Sequence, residues 1–169
     1  RDREREAASL AVANFRITVR AAPFGSTERP AAGQRFREGA RIFEILSVVA
    51  DGAVFYMGGL DAFDQPQATV FRHDPHWDTW LTMAPMNTER YAHAAVVLDG
   101  HVYVIGGRNG LGAIDTVERY DTLNDTWETV GGLTAPRYGH GAATYANHIF
   151  VFGGKNEEGN YLSSGEIYD

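Results

Sequence analysis

The sequence predicts an all-β fold assembled from copies of one small antiparallel unit. The main observation is a pair of adjacent glycines after a strand-like run, which occurs at Gly58-Gly59, Gly106-Gly107 and Gly153-Gly154. Successive pairs are 48 and 47 residues apart. Periods of this size are typical of solenoids and propellers, in which each unit packs only on its neighbours. Function is therefore expected on a surface that the units share.

The runs before the glycine pairs predict central strands. Residues 54–57, 102–105 and 149–152 are apolar at nearly every position, as expected of strands that are buried on both faces. Asp51-Gly52 and Asp99-Gly100 are hairpin signals just before two of these runs. The predicted strands are 42–50, 53–59, 67–74 and 77–83 in the first unit, 90–98, 101–107, 115–121 and 126–131 in the second, and 138–145, 148–154 and 162–169 in the third.

Other positions recur with the glycine pairs. Segment 117–121 repeats 70–74, segment 137–142 repeats 90–95, and Asp125-Thr126-Trp127 repeats Asp78-Thr79-Trp80, in each case 47 residues later. From about residue 42 to 169 this array resembles the kelch repeat, in which a hydrophobic strand ends in Gly-Gly and a Tyr-Asp and a Trp follow at set distances. Within that family, the stretches 83–90 and 117–121 are most similar to the kelch-like BTB adaptors.

The resemblance implies a kelch-type β-propeller. About three four-stranded blades are expected, the last one incomplete, with unit limits near 42–89, 90–136 and 137–169. Propellers need about four to eight blades, so we expect a fragment of a longer protein with open strand edges that favour self-association. Large aromatic side chains are expected to seal blade against blade, namely Tyr120, Tyr168, Trp80 and Trp127.

Charge divides the chain near residue 41. Residues 1–41 contain nine arginines and five acidic residues, whereas 42–169 contain six basic and 17 acidic residues. Alternation over 15–20 predicts one strand in this basic leader, and the Gly- and Pro-containing stretch 21–39 predicts a loop. We expect a partly disordered, solvated leader that is not a blade and does not bind nucleic acid.

No residue pattern predicts catalysis, a metal or a cofactor. The chain has no cysteine, which excludes disulfides and thiolate metal sites and favours a cytoplasmic location. His93 and His140 are 47 residues apart, as are His101 and His148, so these side chains are expected on different blades and not around one ion. No apolar stretch is long enough to predict a membrane span. The chain is expected to be a non-enzymatic binding protein.

All six basic residues beyond residue 41 form pairs 47 residues apart, namely Arg72 with Arg119, Arg90 with Arg137, and Arg108 with Lys155. Such an arginine can bond a neighbouring blade, which we expect for Arg72 and Arg119. For Arg90 and Arg137, the resemblance to the kelch-like adaptors implies, as an equally good alternative, contact with a protein or peptide ligand, and a guanidinium group suits an acidic one. The residues implied in partner binding are Arg90, Tyr91, Asp115, Thr116, Arg137, Tyr138, Ser163 and Ser164.

The function that the resemblance implies is a protein–protein interaction module. The expected role is the substrate-recognition kelch domain of a cullin-type ubiquitin ligase adaptor. Two alternatives stay open: a kelch scaffold of another kind, such as a cytoskeletal one, and an enzyme on the same fold, such as a sugar oxidase or a sialic acid mutarotase.

Overall fold

The computed structural model describes residues 15–20, 42–50 and 52–168, with side chains described for residue 50 and from 52 to 168. The described residues form strands and turns and contain no helix, and thus no helix that could span a membrane. The strands are β1 Phe15–Arg20, β2 Ile42–Ala50, β3 Ala53–Met57, β4 Val70–Asp74, β5 Thr79–Met83, β6 Ala94–Leu98, β7 His101–Ile105, β8 Thr116–Asp121, β9 Thr126–Gly132, β10 Gly141–Tyr145, β11 His148–Phe152 and β12 Gly165–Tyr168. The predicted all-β fold is confirmed.

The strands form three antiparallel sheets in chain order. Strands β1 to β5 make the first sheet, β6 to β9 the second, and β10 to β12 the third, as far as the described residues extend. We call these sheets blades 1, 2 and 3. The leader strand β1 pairs with β2, from Phe15 opposite Ser47 to Arg20 opposite Ile42. Residues 1–14 and 21–41 lie outside the described residues, and the domain division at residue 41 stays a prediction.

The glycine pairs lie just after their strands, because their backbones leave the extended conformation. Strand β7 ends at Ile105, and Gly106 and Gly107 have φ angles of 56° and 102°. A Cβ atom on Gly107 would lie 2.8 Å from the Tyr91 carbonyl oxygen. This left-handed backbone and this close approach both require glycine. The predicted strands that included the pairs are therefore two residues too long.

The first strand of each later blade begins later than predicted. Strands β6 and β10 begin at Ala94 and Gly141, whereas the sequence pattern predicts strands from residues 90 and 138. Ala92 and Gly139 adopt positive φ angles of 50° and 62°, which an extended strand does not allow. The Gly139 amide donates to the Ala92 carbonyl at 2.7 Å. The segments before β6 and β10 are thus links between blades.

The hydrophobic core lies between the blades. Phe55, Met57 and Val70 of blade 1 pack with Val104 and Tyr120 of blade 2. A second cluster joins the other side of blade 2 to blade 3, and its fully or nearly fully buried members are Val96, Ile105, Val117, Ile149 and Val151. Blade 2 is therefore covered on both sides, which explains why its central run is apolar throughout.

One of the two repeated tryptophans, Trp127, packs at the contact between blades 1 and 2. The Trp127 ring packs on Tyr120, with centroids 4.8 Å apart, and its Nε1 donates to the Ala84 carbonyl of the preceding link at 2.9 Å. Trp80 instead stacks on His73 and Tyr56 within blade 1. Trp127 thus joins blade 2 to the link from blade 1, whereas Trp80 joins strands of a single blade.

Because neighbouring strands are antiparallel, the chain segments that connect them lie alternately on two opposite edges of the array. The loops that follow the glycine pairs share an edge with the links between blades. We call this edge the loop face, and it comprises residues 58–69, 84–93, 106–115, 133–140 and 153–164. The other edge, the turn face, carries the hairpins at 99–100 and 146–147 and the turns at 75–78 and 122–125.

Candidate functional site

All eight predicted partner-binding residues lie on the loop face or at the strand ends that border it. The two links between blades, which contain four of these residues, are joined to the neighbouring loops by paired backbone hydrogen bonds. Tyr91 and Arg108 exchange two such bonds of 2.9 Å, and Tyr138 and Lys155 exchange bonds of 3.0 and 2.9 Å. The sequence repeat therefore brings the predicted residues to one edge, with the same backbone pairing in two successive blades.

Arg90 is held inside blade 2. Its side chain is 0% exposed and forms a buried ion pair with Glu118. One guanidinium nitrogen donates to the carbonyl oxygens of Gly106 at 2.9 Å and Thr116 at 3.0 Å, and the other donates to the Thr116 hydroxyl at 3.0 Å. Burial lowers the pKa of Arg90, and the adjacent Glu118 carboxylate acts in the opposite direction.

Arg137 repeats this arrangement in blade 3. It donates to the Gly153 and Ser164 carbonyl oxygens at 3.0 and 3.1 Å, to the Ser164 hydroxyl at 3.3 Å and to Glu166 at 2.6 Å. Burial acts to raise the pKa of Glu166, but hydrogen bonds from Thr134 and Arg137 bring it below its usual value. The Arg137 side chain is also 0% exposed.

This geometry corrects the predicted role of Arg90 and Arg137. A guanidinium that is fully buried and already bonded to carbonyls and a carboxylate cannot reach a peptide unless the link is displaced. Both arginines therefore belong to the scaffold, where each fastens a link to the strands of its own blade. Sequence reasoning missed their partners Glu118 and Glu166, which are 48 residues apart.

The remaining predicted residues lie closer to solvent and stay predictions. Asp115 and Ser163 are exposed, whereas Tyr91 and Tyr138 are half-buried. Thr116 and Ser164 accept hydrogen bonds from the two buried arginines, so their hydroxyl groups are partly engaged in the scaffold. The accessible part of the predicted site therefore consists mainly of two tyrosine rings, a carboxylate and a serine.

The loop tips add exposed apolar side chains that no repeated sequence pattern predicts. Leu111 is 96% exposed, and Phe63 and Tyr161 are also largely exposed, one from each of the three loops. These loops are internally fixed, because the side chains of Asp61, Asn109 and Asn156 accept hydrogen bonds from backbone amides of the same loop. The loop face thus presents apolar groups on turns that are already ordered.

Cations on this face are held against aromatic rings. The Arg108 guanidinium lies 5.2 Å from the centre of the Tyr138 ring and 3.5 Å from Glu157, which also accepts a hydrogen bond from the Ala113 amide. The Lys155 amine lies 4.7 Å from the centre of the Tyr161 ring. The Arg108 contacts connect the loop of blade 2 to the link and loop of blade 3, whereas the Lys155 contact lies within the loop of blade 3.

The accessible charge of the loop face is negative. Apart from the two buried ion pairs, its cations are Arg108 and Lys155, and its acids outnumber them by six to two. The acidic residues are Asp61, Asp64, Glu89, Asp115, Glu157 and Glu158.

Two of the repeated histidines lie inside the array. His93 and His140 are buried, and neither ring nitrogen of either residue has a hydrogen-bond partner within the described part of the chain. Burial is the main cause that lowers the pKa of His93 to about 3 and of His140 to about 4, and the nearby arginines lower both further. Residues 52–168 contain no cluster of histidine and acidic side chains that could hold a metal ion.

Comparisons with known proteins agree with this architecture. The family described as Kelch motif matches residues 89–134 and 136–169. Kelch-like protein 33 of Homo sapiens is 33% identical over 102 residues, which cover 59% of this chain and 18% of that protein. Kelch-like protein 9 of Mus musculus is 36% identical over 90 residues, which cover 53% of this chain and 14% of that protein. The chain thus spans less than a fifth of the length of these curated relatives.

A solved structure shares the fold. The protein in the "Structure of YjhT" superposes with a TM-score of 0.57 at 19% sequence identity, and the match covers 66% of this chain and 33% of that one. Similarity at this level of identity concerns the fold alone. Together with the family match, it confirms the predicted partial kelch-type propeller.

Proposed function

Because the chain is a kelch-repeat protein that resembles the kelch-like proteins, we propose that its loop face binds a segment of another protein. The observation that carries this proposal is the set of exposed apolar tips, with Phe63, Leu111 and Tyr161 each presented by an internally bonded loop. Because these turns are already ordered, binding costs less loop entropy, so more of the free energy gained by burying the apolar groups is available for affinity.

The proposed partner segment is basic and apolar. The expectation of an acidic ligand depends on Arg90 and Arg137, and both are neutralised in buried ion pairs. The charges that a ligand meets on the loop face are six carboxylates and two cations, and both cations already lie over tyrosine rings. Electrostatic complementarity governs which partners associate and how fast. A partner segment with lysine or arginine beside leucine or an aromatic residue therefore fits this face best.

A matched pair of leucines tests the site. Leu111 on the loop face and Leu123 on the turn face are 96% and 91% exposed. We expect Leu111→Ser to weaken binding of a labelled peptide with alternating arginine and leucine, whereas Leu123→Ser leaves binding unchanged. A glutamate–leucine peptide of the same length should bind at least about tenfold more weakly. Equal effects of the two serine variants, or preference for the acidic peptide, would refute the proposed site or its charge preference.

We further propose that the bound protein is a substrate of a cullin-type ubiquitin ligase in the cytoplasm. The support is the resemblance to the kelch-like proteins, and a cytoskeletal scaffold or a kelch-fold enzyme is the alternative. In cells that express the gene at its natural length, inhibition of cullin-type ligases should raise the level of a partner whose capture requires Leu111. A partner that is captured but whose level and ubiquitination do not change would favour the scaffold.

A further inference from the structure

Two tyrosines occupy the same repeat position in the links between blades, Tyr91 before β6 and Tyr138 before β10. Of these two rings, only that of Tyr138 has a cation over it within residues 52–168. We propose that Tyr91, together with Glu89, binds an arginine side chain of the partner protein. This inference rests on the proposed function, because it names the group that anchors the bound segment to the loop face.

The surroundings of Tyr138 show how this chain holds a guanidinium group on the loop face. The Arg108 guanidinium lies 5.2 Å from the centre of the Tyr138 ring, and one of its nitrogens lies 3.5 Å from a carboxylate oxygen of Glu157. The face of an aromatic ring and a carboxylate both attract a cation. The chain therefore contains one complete arrangement in which a guanidinium contacts a tyrosine ring and a carboxylate.

At Tyr91 the ring is present but the cation is not. Leu60 is the repeat equivalent of Arg108, two residues after the first glycine of its pair. Leucine is shorter than arginine and uncharged, so it cannot supply the cation that Arg108 supplies to Tyr138. The Tyr91 ring is half-buried, and no cation among the described residues lies over it. The ring can therefore accept a cation from outside the array.

Glu89 supplies the carboxylate. Arg90 points into blade 2 and is fully buried, and Tyr91 pairs with Arg108 in an antiparallel bridge. Because side chains alternate in direction along an extended segment, Glu89 and Tyr91 point to the side opposite Arg90, toward solvent. Glu89 is exposed, and its carboxylate has no bonding partner in the part of the chain that the structure describes. The equivalent residue before Tyr138 is the uncharged Pro136.

The side chain that fits these two groups is arginine. A guanidinium can stack on an aromatic ring and also donate two parallel hydrogen bonds to a carboxylate, whereas the ammonium group of lysine is a compact point charge. The Gly59 amide donates to the Arg90 carbonyl at 2.9 Å, so the loop of blade 1 adjoins this link. That loop adds an exposed apolar side chain, Phe63, for the residue beside the arginine.

The test uses two labelled peptides, one with alternating arginine and leucine and one with citrulline in place of arginine. Citrulline keeps the shape of arginine but has no charge. We expect Tyr91→Leu to weaken binding of the arginine peptide about fivefold and to leave binding of the citrulline peptide unchanged. Tyr91→Phe keeps the ring and should bind both peptides as the parent does. Tyr145→Leu, at a tyrosine of the turn face that is 76% exposed, is the matched control and should also bind as the parent does.

A second pair of variants separates this site from the overall charge of the loop face. Glu89→Gln and Glu158→Gln each remove one exposed carboxylate from that face. Glu89→Gln should weaken binding of the arginine peptide severalfold more than Glu158→Gln does. Because Glu89 is exposed, this pair decides the question if circular dichroism shows that Tyr91→Leu is unfolded.

The outcomes distinguish this inference from the function on which it rests. Equal loss of both peptides in Tyr91→Leu would overturn the arginine site, because the ring would then act only as an apolar surface. Equal effects of the two glutamine variants would also overturn it. If Leu111→Ser weakens binding but changes at Tyr91 and Glu89 do not, the proposed function stands and the arginine site is refuted. A parent that binds neither peptide refutes both.

Discussion

The buried ion pair of Arg90 and Glu118 predicts a large, non-additive effect on stability. Arg90→Met leaves the Glu118 carboxylate fully buried, with only the amides of Asn87 at 2.7 Å and Thr88 at 3.1 Å as donors. The carbonyl oxygens of Gly106 and Thr116 each lose the hydrogen bond from Arg90, and only Thr116 keeps another donor, the Gly106 amide at 3.1 Å. Removal of one partner of a buried pair typically costs about 3–5 kcal/mol, so the free energy of unfolding should fall by about that amount.

The double variant Arg90→Met/Glu118→Leu separates the charge effect from simple loss of contacts. It removes both charges, and apolar replacement of a buried pair is often neutral or stabilising. The amides of Asn87 and Thr88 then lose their acceptor, which costs about 1–3 kcal/mol for each buried amide left unpaired. We therefore expect the double variant to be more stable than the sum of the two single changes predicts.

Urea unfolding followed by tryptophan fluorescence and circular dichroism measures these differences. Arg119→Met is the matched control, because the partner of Arg119, Glu128, is exposed and the pair lies at the surface. The reasoning is refuted if Arg90→Met lowers the free energy of unfolding no more than Arg119→Met does. Strict additivity in the double variant would also refute it.

Three further outcomes are expected from the fold. Trp127→Ala should lower the free energy of unfolding, by at most the roughly 3–5 kcal/mol seen for fully buried aromatics, and Trp127→Phe should recover part of it; an unchanged melting temperature would contradict this. Gly107→Ala should destabilise strongly because of its φ of 102° and close contacts, whereas Gly110→Ala, with open space around it, should not, as thermal melts would show. His93 and His140 have pKa values lowered from 6.5 in the folded state, so the unfolded state binds more protons and stability should fall as pH drops from about 6.5 toward 4. The fall is at most about 1.4 kcal/mol per pH unit for each histidine, and an unchanged urea midpoint between pH 7 and 5 would contradict it.

Much of the fold could be predicted from the sequence because local and global signals agree. The apolar runs, the Asp-Gly hairpins and the 47-residue spacing place β3, β7 and β11 within two residues of their observed ends. The same spacing places the predicted site residues together on the loop face. The repeat identifies equivalent positions in this way because each blade packs on its neighbours by the same contacts.

The structural role of the two repeated arginines, Arg90 and Arg137, could not be predicted in the same way. A repeat shows that Arg90 and Arg137 are equivalent, but their burial depends on Glu118 and Glu166, which lie 28 and 29 residues further along the chain. One signal was present in the sequence. In the first unit, the positions equivalent to the arginine and the glutamate are both apolar, Ile42 and Phe71. Each unit therefore has both charged residues or neither. The exposed loop tips could not be predicted either, because their exposure depends on how each loop folds on its own Asp or Asn side chain.

The links that carry Arg90 and Arg137 also bear on how the array opens. The Arg90 carbonyl accepts the Gly59 amide of blade 1 at 2.9 Å, while its side chain holds blade 2, and Arg137 joins Gly107 of blade 2 to blade 3 in the same way. A blade cannot separate from its neighbour without disturbing a residue whose charge is buried. Repeat arrays often fray one unit at a time, but here hydrogen exchange at the Gly59 and Gly107 amides should require that two neighbouring blades separate and a buried arginine is displaced, and should therefore be slow.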